Sequence, residues 1–229
     1  MRIAALITML LLVAGCSCSR TVGGQPRQTQ GPNTTAVSGY APTSGNKPST
    51  APAAGAPMSD VIAWIAAGNP ADPARYHAGT RDGVTTQLGN DIAFTLPAAP
   101  ESRPVACTTD SKHTGSALIC LVDLANPPPR PDTAYGDWQG GWVVFDGTTL
   151  QIGAARADPG PFLTGNGAEL ANGDTLSYDD YRCRADQAGV FCVNYARQSA
   201  VRFSGAGIQQ FGCLRSVPPP DGVGIAFSC

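Results

Sequence analysis

The N-terminal segment carries the most specific chemistry of this chain. Eleven mostly apolar residues from Ile3 to Val13 follow Arg2 and lead into Val13-Ala14-Gly15-Cys16. This run is shorter than the ~20 apolar residues that span a bilayer and has the length of a cleaved export signal. A lipoprotein signal peptidase needs small residues before a cysteine whose thiol carries a diacylglyceryl group. We expect residues 1–15 to be a lipoprotein signal peptide and Cys16 to be acylated; an ordinary secretory signal is the alternative.

The segment after this cysteine differs in composition from the rest of the chain. Of residues 17–57, 34 of 41 are Ser, Thr, Pro, Gly, Ala, Asn or Gln, and none is acidic. Such a segment buries too little apolar surface to offset the entropy lost on ordering. We therefore expect a lipidated cysteine with a disordered tether over residues 16–57 and a folded domain over residues 58–229. Cys18 has no evident partner in the tether.

The domain is acidic and large enough to build one core. It contains 17 acidic and 11 basic side chains, a net charge of −6, and Lys112 is its only lysine. Proteins that bind nucleic acid present a basic surface, which this balance does not supply. The expected partners are the membrane, through the lipid on Cys16, and an envelope glycan, lipid or protein, but no nucleic acid.

Six cysteines lie in the domain, and an even number in an exported chain indicates disulfides rather than a metal or redox site. Two cysteines that follow one another in the sequence flank a polar or Pro-Gly turn between apolar segments. Such a turn places their thiols on adjacent strands. Other connectivities remain open from the sequence alone. We predict three local pairs: Cys107 with Cys120, Cys183 with Cys192, and Cys213 with Cys229.

A Gly-rich segment with aromatic side chains is the candidate ligand-binding site. Tyr135, Trp138 and Trp142 lie among three glycines and close to Asp137. The two tryptophans are four residues apart and would face the same side of an extended strand. Their ring faces could then stack on a sugar beside the carboxylate. The alternative is that these large aromatic side chains fill the core.

Familiar catalytic and metal-binding patterns are absent from the sequence. His77 and His113 are the only histidines, neither has a recognisable catalytic context, and no Gly-x-Ser-x-Gly motif occurs. The best set of oxygen ligands lacks EF-hand spacing and is typical of turns. That set is Asn166, Glu169, Asn172, Asp174, Asp179 and Asp180. We predict no catalytic residue, no metal site and no cofactor.

One short helix should position the start of the domain. Ser59 can cap it, Asp60 suits the positive end of its dipole, and Gly68 followed by Pro70 ends it. The rest of the chain alternates short apolar segments with turns.

Two hairpins are predicted from turn residues. Val84–Leu88 and Ile92–Leu96 flank Gly89-Asn90-Asp91, and Asp146-Gly147 is a strong signal for a second hairpin. Many short strands separated by turns favour an antiparallel sandwich or barrel. The predicted fold is mainly β, with one short N-terminal helix and three disulfides.

A weak internal repeat is also visible. Each half of the domain has a lead-in strand and then two cysteines that flank a polar loop, Cys107 and Cys120 in the first half, Cys183 and Cys192 in the second. Any disulfide-linked hairpin would give a similar pattern.

The chain resembles exported actinobacterial lipoproteins of mycobacteria over nearly its whole length. The resemblance rests on the lipobox, the tether and five segments: Val61-Ile-Ala-Trp-Ile, Gly68-Asn-Pro-Ala-Asp-Pro, Asn126-Pro-Pro-Pro-Arg-Pro, Tyr181-Arg-Cys-Arg-Ala-Asp and Pro218-Pro-Pro-Asp-Gly-Val. It implies a location in the cell envelope and transfers no activity or functional residue. We therefore expect a lipid-anchored binding or scaffold module on the extracytoplasmic face of the cell membrane. The alternatives are a glycan hydrolase with a carboxylate pair and an interaction subunit of an envelope complex.

Overall fold

The computed structural model describes residues 47–97 and 103–229. In these ranges the chain is mainly β, and its sheets are open rather than closed into a barrel. The two large sheets stack around a common apolar core, so the predicted fold class is confirmed and takes the form of a sandwich. The predicted signal peptide, Cys16, Cys18 and the predicted tether up to residue 46 lie outside the described residues.

Strands are numbered in chain order. Sheet 1 has the order β15-β16-β8-β7-β6-β5-β4-β9. Its strands are β4 (Ala93–Thr95), β5 (Ala106–Thr109), β6 (Leu118–Leu121), β7 (Asp137–Phe145), β8 (Thr149–Arg156), β9 (Ala168–Glu169), β15 (Arg215–Val217) and β16 (Val223–Ser228). Sheet 2 has the order β1-β10-β11-β12-β13-β14. Its strands are β1 (Asn69–Pro70), β10 (Asp174–Tyr178), β11 (Tyr181–Asp186), β12 (Gly189–Asn194), β13 (Ser199–Ser204) and β14 (Gly207–Gly212).

The helical elements are short. They are α1 (Met58–Ala66), α2 (Ser111–Thr114) and two 3-10 turns, Pro73–Tyr76 and Gly160–Thr164. The strands β2 (Ala78–Arg81) and β3 (Val84–Gln87) form a separate two-stranded hairpin.

Two disulfides lie in the core between the sheets. Cys107 is directly opposite Cys120 across β5 and β6, and Cys183 is opposite Cys192 across β11 and β12. Their Cα atoms are 4.1 and 4.0 Å apart, and all four side chains are buried. Cys213 pairs with Cys229 at the surface. The three predicted pairings are therefore confirmed.

The sheets share one plan, which extends the repeat seen in the sequence. Each contains a five-stranded antiparallel meander, β4 to β8 in sheet 1 and β10 to β14 in sheet 2, with the disulfide between its second and third strands. In each, a two-residue strand runs parallel to the first strand of the meander. The two halves of the domain therefore repeat the same arrangement.

The two halves exchange their N-terminal arms. Arm 1, which consists of α1 and β1, precedes the first meander but pairs with sheet 2. Arm 2, which consists of the turn Gly160–Thr164 and β9, precedes the second meander but pairs with sheet 1. A Cβ on Gly68 or Gly167, just before each short strand, would collide with the sheet beside it. Each half thus supplies an edge strand to the sheet of the other.

Arm 1 forms a second core on the outer face of sheet 2. Trp64 of α1 packs on Phe191 with ring centroids 4.7 Å apart, and Ala51 and Ala56 are partly buried against the same cluster. The helix lies where the sequence predicts it, but Ser59 is not its cap. Pro57 precedes the helix without a capping side chain, and the Ser59 hydroxyl bonds to Asp60.

One predicted hairpin is confirmed and one is wrong. Strands β7 and β8 join at Asp146-Gly147 as expected, but β3 pairs with β2 rather than with β4. The turn between β2 and β3 is Asp82-Gly83, and both residues have positive φ. A two-residue hairpin turn of type I′ needs this geometry, so the Asp-Gly pair outcompetes the longer turn at residues 89–91.

Candidate functional site

Two cavities lie on the outer face of sheet 1. Cys120 and Val143 point into the core, so the alternate residues Leu121 and Trp142 point outward. Arm 2 lies on this face, where Phe162 packs edge-on against Trp142 with ring centroids 5.4 Å apart. Its 3-10 turn has five residues, whereas α1 of arm 1 has nine. Cavities remain beside the shorter arm.

The larger cavity on this face has a volume of about 410 Å³. Its apolar wall comes from β5, β6 and the Pro-rich segment, and its polar wall from residues distant in sequence. The polar side chains are those of Arg103, Asp123, Gln139 and Asn166.

A second cavity of about 270 Å³ lies next to it and shares Leu121 and Gln139 with it. Its polar side chains are Asp137, Gln139, Arg156 and Asp158. A third cavity of about 210 Å³ shares Arg103 and Asp123 with the larger one and reaches turn residues of sheet 2. These three cavities share lining residues, and we call them together the outer groove.

A bulge in β7 shapes the middle of the outer groove. Gln139 pairs with Ala154 and Val143 with Ile152, so three residues of β7 face one residue of β8. A Cβ on Gly141 would collide with the carbonyl of Val122, so the close approach of β6 and β7 requires a glycine there. Bulges redirect side chains next to binding sites, and this one opens the sheet face at Gln139.

The predicted tryptophan pair does not form a stacking surface. Trp142 is 3% exposed, and the guanidinium of Arg156 lies 4.1 Å from its ring centroid. Trp138 instead packs on Gly153, and its Nε1 donates to the carbonyl oxygen of Pro128 at 3.2 Å. The two rings therefore have different neighbours, Arg156 and Phe162 at Trp142 and Gly153 and Pro128 at Trp138.

The other two predicted site residues have different surroundings. Asp137 lines the second cavity together with Trp142. Tyr135 is 89% exposed and lines none of the three cavities. Of the predicted set, Asp137 and Trp142 therefore belong to the outer groove, and Trp138 fixes the Pro-rich segment that forms its rim.

Arg156 is the groove residue that sequence reasoning missed most clearly. It pairs with Asp137 across β7 and β8, and within the described residues no carboxylate lies within 4.0 Å of its guanidinium. The stacking on Trp142 holds the guanidinium in place, so its donors face the second cavity. Counting back from the turn at Asp146-Gly147 with the bulge included would have placed Arg156 opposite Asp137.

Each of the two histidines contacts an oxygen atom of a nearby aspartate residue. His77 Nδ1 lies 2.8 Å from the carbonyl oxygen of Asp91, and His113 of α2 pairs with Asp110, which precedes that helix. Within residues 47–97 and 103–229, no group of three or more His, Cys, Asp or Glu side chains could hold a metal ion. In the same ranges no helix is long and apolar enough to cross a membrane.

Comparison with protein-family models, curated proteins and solved structures gives no match to this chain.

Proposed function

We propose that the protein is a cell-envelope lipoprotein whose domain binds an envelope component in the outer groove. The lipobox at Cys16, the tether composition and the resemblance to exported actinobacterial lipoproteins support an anchored, extracytoplasmic location. The outer groove supports binding, because three cavities with shared lining residues combine apolar walls with charged side chains. Ligand sites have this mixture, and the larger cavity is within the usual range of about 300–1,000 Å³.

Gln139 offers the sharpest test of the binding site. It is exposed and lines both of the larger cavities, so Gln139→Trp would fill their junction without a change in the core. Gln87 is a matched control, since it is an exposed glutamine on β3 that lines none of the three cavities. The two variants should differ only in the space left in the groove.

The assay is cosedimentation of residues 17–229, which lack the lipid, with a delipidated cell-envelope fraction. We expect Gln139→Trp to lower the bound fraction at least fivefold and Gln87→Trp to leave it unchanged. Far-ultraviolet circular dichroism verifies that both variants fold. Wild-type binding by Gln139→Trp, or no sedimentation of the wild type, would exclude the outer groove as an envelope-binding site.

The anchor is tested separately. Cells that express the full chain are labelled with an alkyne fatty acid, which should tag the wild type and leave Cys16→Ser untagged. Cys18→Ser should be tagged as well as the wild type. Label retained by Cys16→Ser would contradict acylation at that residue.

A second candidate is a glycan hydrolase, because Asp137 and Asp158 line the same cavity. A pair of carboxyl groups across a glycosidic bond can act as acid and as base or nucleophile. In this case the wild type should release reducing ends from an envelope polysaccharide, and Asp137→Asn and Asp158→Asn should each abolish the release. A wild type that binds the polysaccharide without cleaving it would exclude the hydrolase and leave binding as the function.

A further inference from the structure

We infer that the ligand of the outer groove is a neutral, linear oligosaccharide that lies along its three cavities. This inference rests on the proposed binding function. It concerns the chemical class of the ligand and the way it is held.

The shape of the outer groove favours a chain over a compact ligand. Leu121 and Gln139 belong to both the second and the larger cavity, and Arg103 and Asp123 to both the larger and the third. The cavities therefore follow one another with shared walls. A linear polymer can occupy all three at once, whereas a compact molecule would fill only one.

The floor of the groove argues against an extended peptide. Peptides that join a sheet need a free strand edge, whose backbone groups supply the hydrogen bonds. The strands β5, β6, β7 and β8 are each paired on both sides. These four strands therefore offer no free edge to which a peptide could add.

The polar side chains of the groove suit hydroxyl groups. The two larger cavities contain two guanidinium groups, three carboxylates and two amides, from Arg103, Arg156, Asp123, Asp137, Asp158, Gln139 and Asn166. Planar groups of this kind donate to and accept from the vicinal hydroxyls of a sugar. Because both charge signs occur in each cavity, a strongly anionic or cationic chain would meet repulsion along the groove.

The apolar walls match the other side of a sugar ring. Leu121, Val122 and Leu124 line the larger cavity together with Pro104 and Pro127. They can contact the C–H faces of a pyranose while its hydroxyls bond to the polar wall. A lipid acyl chain would fit less well, since it would desolvate the charged groups of each cavity without hydrogen-bonding to them.

The test is calorimetric titration of residues 17–229 with two neutral series of one to eight units, α-1,4-linked glucose and β-1,4-linked N-acetylglucosamine. We expect at least one series to bind, with an affinity that rises at least tenfold from the monosaccharide and levels off once the groove is filled. Arg156→Lys keeps the charge but loses the planar donors, and should weaken the longer oligomers at least fivefold. Gln139→Trp should shorten the length at which affinity levels off, and Gln87→Trp should not.

The outcomes separate this inference from the proposed function. An affinity that does not depend on length would overturn the linear chain. If neither neutral series binds while Gln139→Trp still lowers sedimentation with the envelope, the ligand class is wrong and the binding site stands. If an oligosaccharide binds equally well to wild type and Gln139→Trp, it does not lie in the outer groove, and the inference fails.

Discussion

The disulfide between Cys183 and Cys192 should contribute more to stability than the one between Cys213 and Cys229, although it closes the shorter loop. The sequence separations are 9 and 16 residues. The chain-entropy model alone gives about 2.7 kcal/mol for the first and about 3.1 kcal/mol for the second. By loop length alone, the surface pair would therefore matter slightly more.

Burial reverses this order. Both Cys183 and Cys192 are fully buried in the core, whereas Cys213 and Cys229 are exposed. A double change to alanine removes two buried sulfur atoms and leaves a cavity, which adds ~1 kcal/mol per atom. The free energy of unfolding should fall by about 4–5 kcal/mol for the buried pair and by no more than about 3 kcal/mol for the exposed pair.

Urea unfolding followed by tryptophan fluorescence measures both double variants against the wild type. Equal m-values would show that the two variants lose stability without a change in the surface exposed on unfolding. A larger loss for Cys213→Ala/Cys229→Ala than for Cys183→Ala/Cys192→Ala would refute the reasoning, since loop entropy would then outweigh burial.

Two further predictions concern buried aromatic side chains. Trp142→Phe keeps a ring between Arg156 and Phe162 and removes an indole N–H that has no hydrogen-bond partner, so it should cost less than about 1.5 kcal/mol, whereas Trp142→Ala should cost about 3–5 kcal/mol. If urea unfolding gave similar losses of unfolding free energy for the two variants, the packing of the ring between Arg156 and Phe162 would not be what stabilises the fold. Burial raises the pKa of Tyr181 to about 12, so the folded state keeps a proton that the unfolded chain loses near pH 10. Stability should therefore fall as the pH rises from about 10 towards 12, and Tyr181→Phe should reduce the fall; a urea midpoint that stays constant up to pH 11 would argue against it.

The sequence predicts this fold well where local geometry decides it. The disulfide pairs follow from turns that place cysteines opposite each other on adjacent strands, and the turn at Asp146-Gly147 fixes the hairpin of β7 and β8. The hairpin at Asp82-Gly83 carries the same kind of signal, which the longer turn at residues 89–91 obscured. Local chemistry therefore determines most of the strand neighbours.

The groove is harder to predict because distant segments build it. Arg103, Asp123 and Asn166 meet in one cavity only after β9 has paired with β4, a contact between strands more than 70 residues apart. The surroundings of the two tryptophans were hard to predict for another reason. Period-two alternation holds along a regular strand, and the bulge after Gln139 breaks it. Gly140-Gly141 is the sequence signal of that bulge.

The exchange of arms makes the two halves depend on each other. Without arm 1, Phe191 and Val193 on the outer face of sheet 2 would be exposed, and without arm 2, Trp142 on sheet 1 would lose Phe162. Since the inner faces of both sheets also share one core, neither half can bury its apolar surface alone. The arms differ in length, however, and the outer groove lies beside the shorter one. A repeated architecture can in this way cover one outer face with an apolar cluster and leave cavities on the other, where we propose that the ligand binds.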